Sequence, residues 1–271
     1  MTTPRLHPVM FRALWAYRGF VLGAVRRELE TRYRGSLLGA LWLVLQPLAQ
    51  ILVFTLVFAE IMKPTLPGHE GSVFAYSIYL CAGVLPWGLF AEVLTRLNTV
   101  FLENANLIKK SSFPRIALPA VVVLSALANF AVIMGLFLVF LAIAGVWPGI
   151  ALAGLLPVLA IQLAFAIGLG LLCGTLNVFF RDVGPLVSVV LGFWFWLTPI
   201  IYVAATLPPR AQQLVALNPM TPIVGAYQRV LLDGAWPDPV ALAPVAGIAA
   251  VLLVLSGVFF LRQAPELVDE L

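Results

Sequence analysis

Residues 26–63 read RRELETRYRGSLLGALWLVLQPLAQILVFTLVFAEIMK, and the fold follows from a change of character inside this stretch. Its first part carries Arg26, Arg27, Arg32 and Arg34, whereas between Leu37 and Met62 only Gln46, Gln50, Thr55 and Glu60 are clearly polar. The run 37–59 holds 23 residues, and about 20 apolar residues cross the ~30 Å hydrocarbon layer as a helix. The arginine side is the flank expected to stay cytoplasmic. This stretch therefore predicts an inner membrane boundary followed by a first span over 37–62.

The rest of the chain has the same character. Of its 271 residues 62% are hydrophobic and only 10% charged, where a soluble domain carries about 25% charge. A soluble chain this apolar would expose large sticky patches, so composition predicts an all-α membrane protein forming one transmembrane domain over 1–271. The net charge of +4 suits an anionic inner leaflet better than nucleic acid, because no basic face interleaves with exposed aromatics. Cys81 and Cys173 each lie in apolar runs and read as small hydrophobes rather than a metal or disulfide pair.

Upstream of the boundary, Phe11, Leu14, Trp15, Val21, Leu22, Val25 and Leu29 fall at helical spacing. They predict an amphipathic helix over 9–30, lying in the inner interface. Downstream, apolar runs predict spans over 73–94, 116–144, 150–180, 185–203 and 240–261, six in all. Gly83 and Pro86 are expected to kink or break the second. Between 95 and 115 a polar stretch intervenes. Residues 204–235 are proline-rich; within them Thr221–Pro222 reads as a helix start and Asp233–Gly234 as its stop. Ile223, Val224, Tyr227, Val230 and Leu231 form one apolar stripe between them, too short to span, which predicts an interfacial or re-entrant helix.

Arginine and lysine counts orient the chain. With the N-terminus inside, seven lie before Ser36, four between 95 and 115, then Arg181 and Arg262; the outer side keeps Lys63, Arg210 and Arg229. That bias predicts cytoplasmic termini. Ionisable groups inside the spans are few. Glu60 and Glu92 read as span-end residues, and Asn129 and Gln162 are polar without charge. Neither a Walker A loop, nor a zinc motif, nor a carboxylate cluster for Mg²⁺ occurs. A proton-driven carrier would need a deeper charge, so energy is expected to come from elsewhere.

Five pieces along the chain resemble the type-2 ABC exporter permeases, in particular those exporting lipid-linked polysaccharides such as O antigens, capsular polysaccharides and teichoic acids. They are Arg27–Glu28–Leu29 with Arg32–Tyr33, Ser36–Leu37–Leu38–Gly39 and Leu41–Trp42; Asn104 to Arg115; Asn177 to Val183; Thr198 to Tyr202; and Leu217 to Met220. The resemblance implies a homodimer joined to two nucleotide-binding ATPase subunits, which would hold ATP and Mg²⁺, with no cofactor on this chain. It implies a bacterial inner-membrane location and a transport subunit rather than an enzyme. It also implies that 103–115 is a coupling loop, with Asn104, Asn106, Leu107, Ile108, Lys109, Lys110, Phe113 and Arg115 meeting the ATPase. There Asn106 would cap, Leu107, Ile108 and Phe113 would plug a cleft, and the lysines would stay solvated; the same lysines also set topology.

For a sugar polymer, aromatic faces suit a sliding channel better than charges do. Trp42, Tyr76, Phe193, Trp194, Trp196 and Tyr202 are the candidates, with Tyr79 and Trp87 beside them, although Trp and Tyr also anchor helices at membrane interfaces. Arg27, Arg32, Tyr33 and Arg34 near the inner mouth suit the phosphates of a lipid-pyrophosphate headgroup through charge-assisted hydrogen bonds. Other cargo for the same kind of permease (teichoic acid, drugs or small lipids) fits the same pattern. A membrane enzyme acting on lipid-linked sugars is the alternative from another class.

Overall fold

The computed structural model describes residues 17–31, 41–57, 66–69, 74–110 and 115–270. Among them no strand forms. The helices are α1 (Arg18–Thr31), α2 (Trp42–Thr55), α3 (Ala75–Glu103), α4 (Ala105–Lys110), α5 (Ala117–Ile143), α6 (Leu155–Phe179), α7 (Val183–Leu197), α8 (Pro209–Ala216), α9 (Met220–Asp233), α10 (Pro239–Gln263) and α11 (Leu267–Glu270). A 3-10 turn over Gly149–Gly154 leads into α6. Four helical stretches are long and apolar enough to cross a membrane: Ala75–Glu103, Ala117–Ile143, Gly149–Phe179 and Pro239–Gln263.

The bundle is organised around α3. Some 72% of its most apolar window is buried inside the chain, against 28% for α5 and for α10, so α3 is the hub and the other two present much of their surface outward. Helices α5, α6, α7 and α9 all pack on it. Glycines set the closest approaches. A Cβ on Gly174 of α6 would stand 2.2 Å from the Leu97 carbonyl oxygen of α3, and one on Gly170 would stand 2.8 Å from Leu97 Cβ. The pair forms a G-x-x-x-G spacing, which lets two membrane helices meet backbone to backbone. Just beyond, Asn177 Nδ2 donates to the Asn98 carbonyl at 2.9 Å while its Oδ1 accepts from Gly184 N at 3.0 Å, tying α3, α6 and the start of α7 together. Phe90–Phe165 and Phe101–Phe260 stack at 5.6 and 5.2 Å between centroids, joining α3 to α6 and α10.

Several expectations change here. The second span does not break at Gly83 and Pro86, nor stop at 94; α3 runs unbroken for 29 residues to Glu103 and absorbs much of the polar stretch. Its neighbours compensate. Gln162 Nε2 of α6 donates to the Pro86 carbonyl at 2.7 Å, which ties the proline turn of α3 to a neighbouring helix, and such neighbours make proline tolerable in a packed membrane helix. Gly83 instead makes room, since a Cβ there would lie 3.1–3.3 Å from Ile200, Gln228 and Val224. The fifth apolar run is helical only to Leu197, 15 residues or about 22 Å at 1.5 Å per residue. Thr198 turns extended, as expected of the residue before Pro199.

Helix α9 keeps its expected apolar stripe, with Ile223, Val224, Tyr227, Val230 and Leu231 fully buried, and ends at Gly234 in the left-handed region (φ 61°). Its start lies earlier than Thr221. Asn218 Oδ1 accepts from Met220 N at 2.9 Å, whereas Thr221 Oγ1 donates to the Val215 carbonyl. On α1, Val21 is buried but Leu22 is largely exposed, so the buried stripe excludes Leu22. Residues 9–16 of the expected interface helix and 37–40 and 58–62 of the first span lie outside the described residues.

Candidate functional site

At one end of the bundle, α3 turns into α4 and then α5, with α1 laid across them. Asn104 builds the turn. Its carbonyl accepts from Leu107 N and Ile108 N, both at 3.0 Å, and its Nδ2 donates back to the Val100 carbonyl at 2.8 Å. Asn106, expected as the cap, instead stands exposed within α4. Of the expected plug, Leu107 is 37% exposed while Ile108 is 5% exposed. Ile108 therefore anchors α4 to its own chain, and Leu107 with Lys109 faces outward. Helix α11, whose Leu267 is buried, packs against α4 and the end of α6, so the acidic tail begins as part of this junction. Lys110 ends α4 and Arg115 opens the turn into α5 half-buried. Phe113 lies outside the described residues.

Behind α4 lies a cavity of about 360 Å³, lined among others by Phe20, Arg27 and Glu28 of α1, Arg96, Glu103 and Asn104 of α3–α4, and Leu107. Arg27 sits 6.0 Å over the Phe20 ring, a cation–π distance, so one of the expected headgroup arginines borders this cavity. Arg32, Tyr33 and Arg34 lie outside the described residues. Glu28 and Arg96 make the strongest contact of the site: Arg96 Nη2 donates to Glu28 Oε1, and Ser125 Oγ donates to Glu28 Oε2 at 2.9 Å. Arg96 also lies 3.5 Å from Glu92, whose Oε2 accepts from Asn129 Nδ2 at 3.2 Å. Glu92 thus sits deep within α3 and not at a span end. Sequence reasoning passed over Glu28, Arg96 and Ser125 as site residues; polar pairs at i, i+4 in apolar helices, Glu92/Arg96 and Ser125/Asn129, are the signal that marks them. Asp182 precedes α7.

At the opposite end the aromatic candidates separate. Tyr76 OH donates to the Ile201 carbonyl, and Tyr79 OH to those of Tyr202 (3.0 Å) and Pro199 (3.3 Å). These tyrosines hold the loop after α7. Trp194 packs with Trp87, Phe90 and Phe165 at 5.3–6.3 Å, and its Nε1 donates to Asn218 Oδ1 at 2.8 Å. Tyr202 is half-buried beside them. Only Phe193 and Trp196, at 69% and 65% exposure, and Trp42, at 40%, present open faces. Phe193 and Trp196 share one side of α7 with Leu186, Val189 and Val190. Among the described residues no group of three or more His, Cys, Asp or Glu could hold a metal ion.

Residues 21–232 match the family model described as ABC-2 type transporter. The chain is 32% identical to the O-antigen export system permease protein RfbA of Myxococcus xanthus, over 97% of this chain and 99% of that one. It is 30% identical to RfbA of Klebsiella pneumoniae over 77% and 78%, and 21% identical to the polysialic acid transport protein KpsM of Escherichia coli over 85% and 88%. With four long apolar helices and this likeness along its length, the chain is a multi-pass membrane permease and belongs to the ABC-2 type transporter family, whose permeases work with a separate ATPase subunit.

Proposed function

We propose that the chain is the membrane subunit of an ATP-driven exporter that moves a lipid-linked polysaccharide, O antigen or capsular polysaccharide, out of the bacterial cytoplasm. The observation that carries this is the near full-length likeness to an O-antigen export permease. The chain works as a homodimer in the inner membrane with two ATPase subunits, which bind ATP and Mg²⁺, and both termini lie in the cytoplasm. It forms a single transmembrane domain of six spans: the four long apolar helices, the first apolar run over 37–62, and α7 completed by the loop after Pro199. Helices α8 and α9 fold back as re-entrant helices at the outer end. The apolar face of α2 that the chain itself leaves uncovered supports a second copy. Deleting the gene should leave polymer inside the cell and none on its surface; polymer still reaching the surface would contradict the proposal.

Coupling runs through α4. Leu107 and Lys109 face outward while Ile108 and Asn104 fix the helix to α3, which suits rigid-body transmission from the ATPase. The double charge reversal Lys109→Glu/Lys110→Glu should lower polymer exported per ATP about tenfold, the scale of a typical coupling energy. Membrane insertion should not change. Normal export by this variant would remove α4 from the coupling path.

Phe193 and Trp196 face the conduit. Because they bury little surface in their own chain, Phe193→Ala/Trp196→Ala should leave the melting temperature in detergent nearly unchanged while export falls several-fold. Equal loss of folded protein and export would leave them as interface anchors.

A further inference from the structure

The polar groups between α1, α3 and α5 are linked in one series, which the backbone of α5 between Ser125 and Asn129 completes into a ring. Glu28 is held by Ser125 on one oxygen and Arg96 on the other; Arg96 reaches Glu92, and Glu92 is held by Asn129. Two residues come from α3 at i, i+4, two from α5 at i, i+4, and one from α1. Arg96 and Glu92 lie seven and eleven residues before Glu103, where α3 ends. Ser125 and Asn129 lie eight and twelve residues after Ala117, where α5 begins. At 1.5 Å per residue, both pairs sit about 10–18 Å in from the turn that carries α4. Two antiparallel helices thus place their polar pairs at one depth, and the last turns of α1 reach that depth to insert Glu28.

A purely structural reason for such a ring is weak. The Glu28–Arg96 pair is only part-buried, its side chains 33% and 29% exposed, and ion pairs open to solvent contribute little to stability. Ionisable groups at membrane depth are expensive and mark function by default. The ring is also directional in a way that packing is not: it joins the helix on the inner surface to the hub helix that ends in α4.

Resting on the export reading above, the geometry points to this ring as a latch that makes α1 and α3 move as one body, with Glu28 and Arg96 as its positioning residues. When an ATPase displaces α4 or α1, the latch carries the displacement into α3 and through Asn129 into α5. A bond between α1 and α3 that never opens during the cycle is what the latch requires.

The test uses the full chain with its ATPase subunits in inside-out vesicles from cells making the polymer. Export is read as ATP-dependent protection of the endogenous lipid-linked polymer from an added glycosidase. In a Cys81→Ala/Cys173→Ala background, Glu28→Cys/Arg96→Cys should lower protection per ATP about tenfold. A short bis-maleimide joining the two cysteines should bring it back to within about twofold of the parent. Unimpaired export before cross-linking, or a cross-link that leaves or deepens the loss, overturns the latch. If the double variant does not accumulate, Glu28→Gln decides. It keeps the shape but removes the charge that holds Arg96, and its amide nitrogen cannot accept from Ser125 Oγ, so it should show the same loss at a melting temperature close to the parent's; export per ATP within about twofold of the parent overturns the latch. A parent that gives no ATP-dependent protection contradicts the export reading itself, and the latch falls with it.

Discussion

Replacing Gly174 with valine is expected to remove nearly all folded protein from the membrane. Even the Cβ alone would stand 2.2 Å from the Leu97 carbonyl oxygen and 3.1 Å from its carbon, and both are backbone atoms of the hub helix. No flexible side chain is there to yield, so α3 and α6 must separate by more than an ångström. Separation pulls on the Asn177–Asn98 bond one turn away and on the stacked Phe90–Phe165 pair. Overpacking costs about 1–3 kcal/mol where a core can adjust; against backbone the upper end or beyond applies, a large part of the ~5–15 kcal/mol that holds a domain folded. The measurement is the monodisperse fraction in detergent and its melting temperature. Gly170→Ala should be milder, because its neighbour is the Leu97 side chain, and Gly192→Ala, with open space around it, should be neutral. Equal yields for Gly174→Val and Gly192→Ala would mean that α3 and α6 do not meet as described.

Asn218→Leu should be the second most damaging single change. One side chain serves four partners: Oδ1 accepts from Trp194 Nε1 (2.8 Å) and Met220 N (2.9 Å), and Nδ2 donates to Leu197 O (3.2 Å) and Thr198 Oγ1 (2.9 Å). It closes α7, caps α9 and fixes the loop between them. Leaving a buried group unpaired costs about 1–3 kcal/mol, and a lost helix cap about 1 kcal/mol. Because the site is partly open to water, a total of roughly 2–4 kcal/mol is expected. Asn218→Asp keeps both acceptor roles and loses both donor roles, so it should fall between. Protease cutting within 204–219 and a red shift of Trp emission, relative to the parent, report the release of this segment. A Leu variant with parental cutting and emission would show that the hub is dispensable.

These two residues also mark where reading the sequence reaches its limit. The long apolar runs of α3, α5, α6 and α10 are legible because about 20 apolar residues have few other fates. The stripe of α9 and its Gly234 stop are legible because local chemistry decides them. The cap of α9 is not: Asn218 and Thr221 are both good capping residues, and only the position of α7 determines which of them opens the helix. Gly83 and Pro86 look like a break because the group that ties the proline turn to α6, Gln162, lies 76 residues further on. The six residues of α4 are too few for a periodicity, so sequence does not separate buried Ile108 from exposed Leu107. Glu28, Arg96 and Asn129 are visible as polar residues, but their meeting depends on α1 crossing two antiparallel helices at one depth.

The central claim is that this chain is driven by a separate ATPase through its inner-face junction. Purifying the tagged chain from cells that also make the partner ATPase, and measuring ATP hydrolysis with and without it, tests that claim most directly. The account predicts a stable complex of two copies of each chain, with hydrolysis per ATPase rising about tenfold on assembly and falling back when α4 carries Lys109→Glu/Lys110→Glu. No complex, together with an ATPase rate unchanged by the permease, would contradict it.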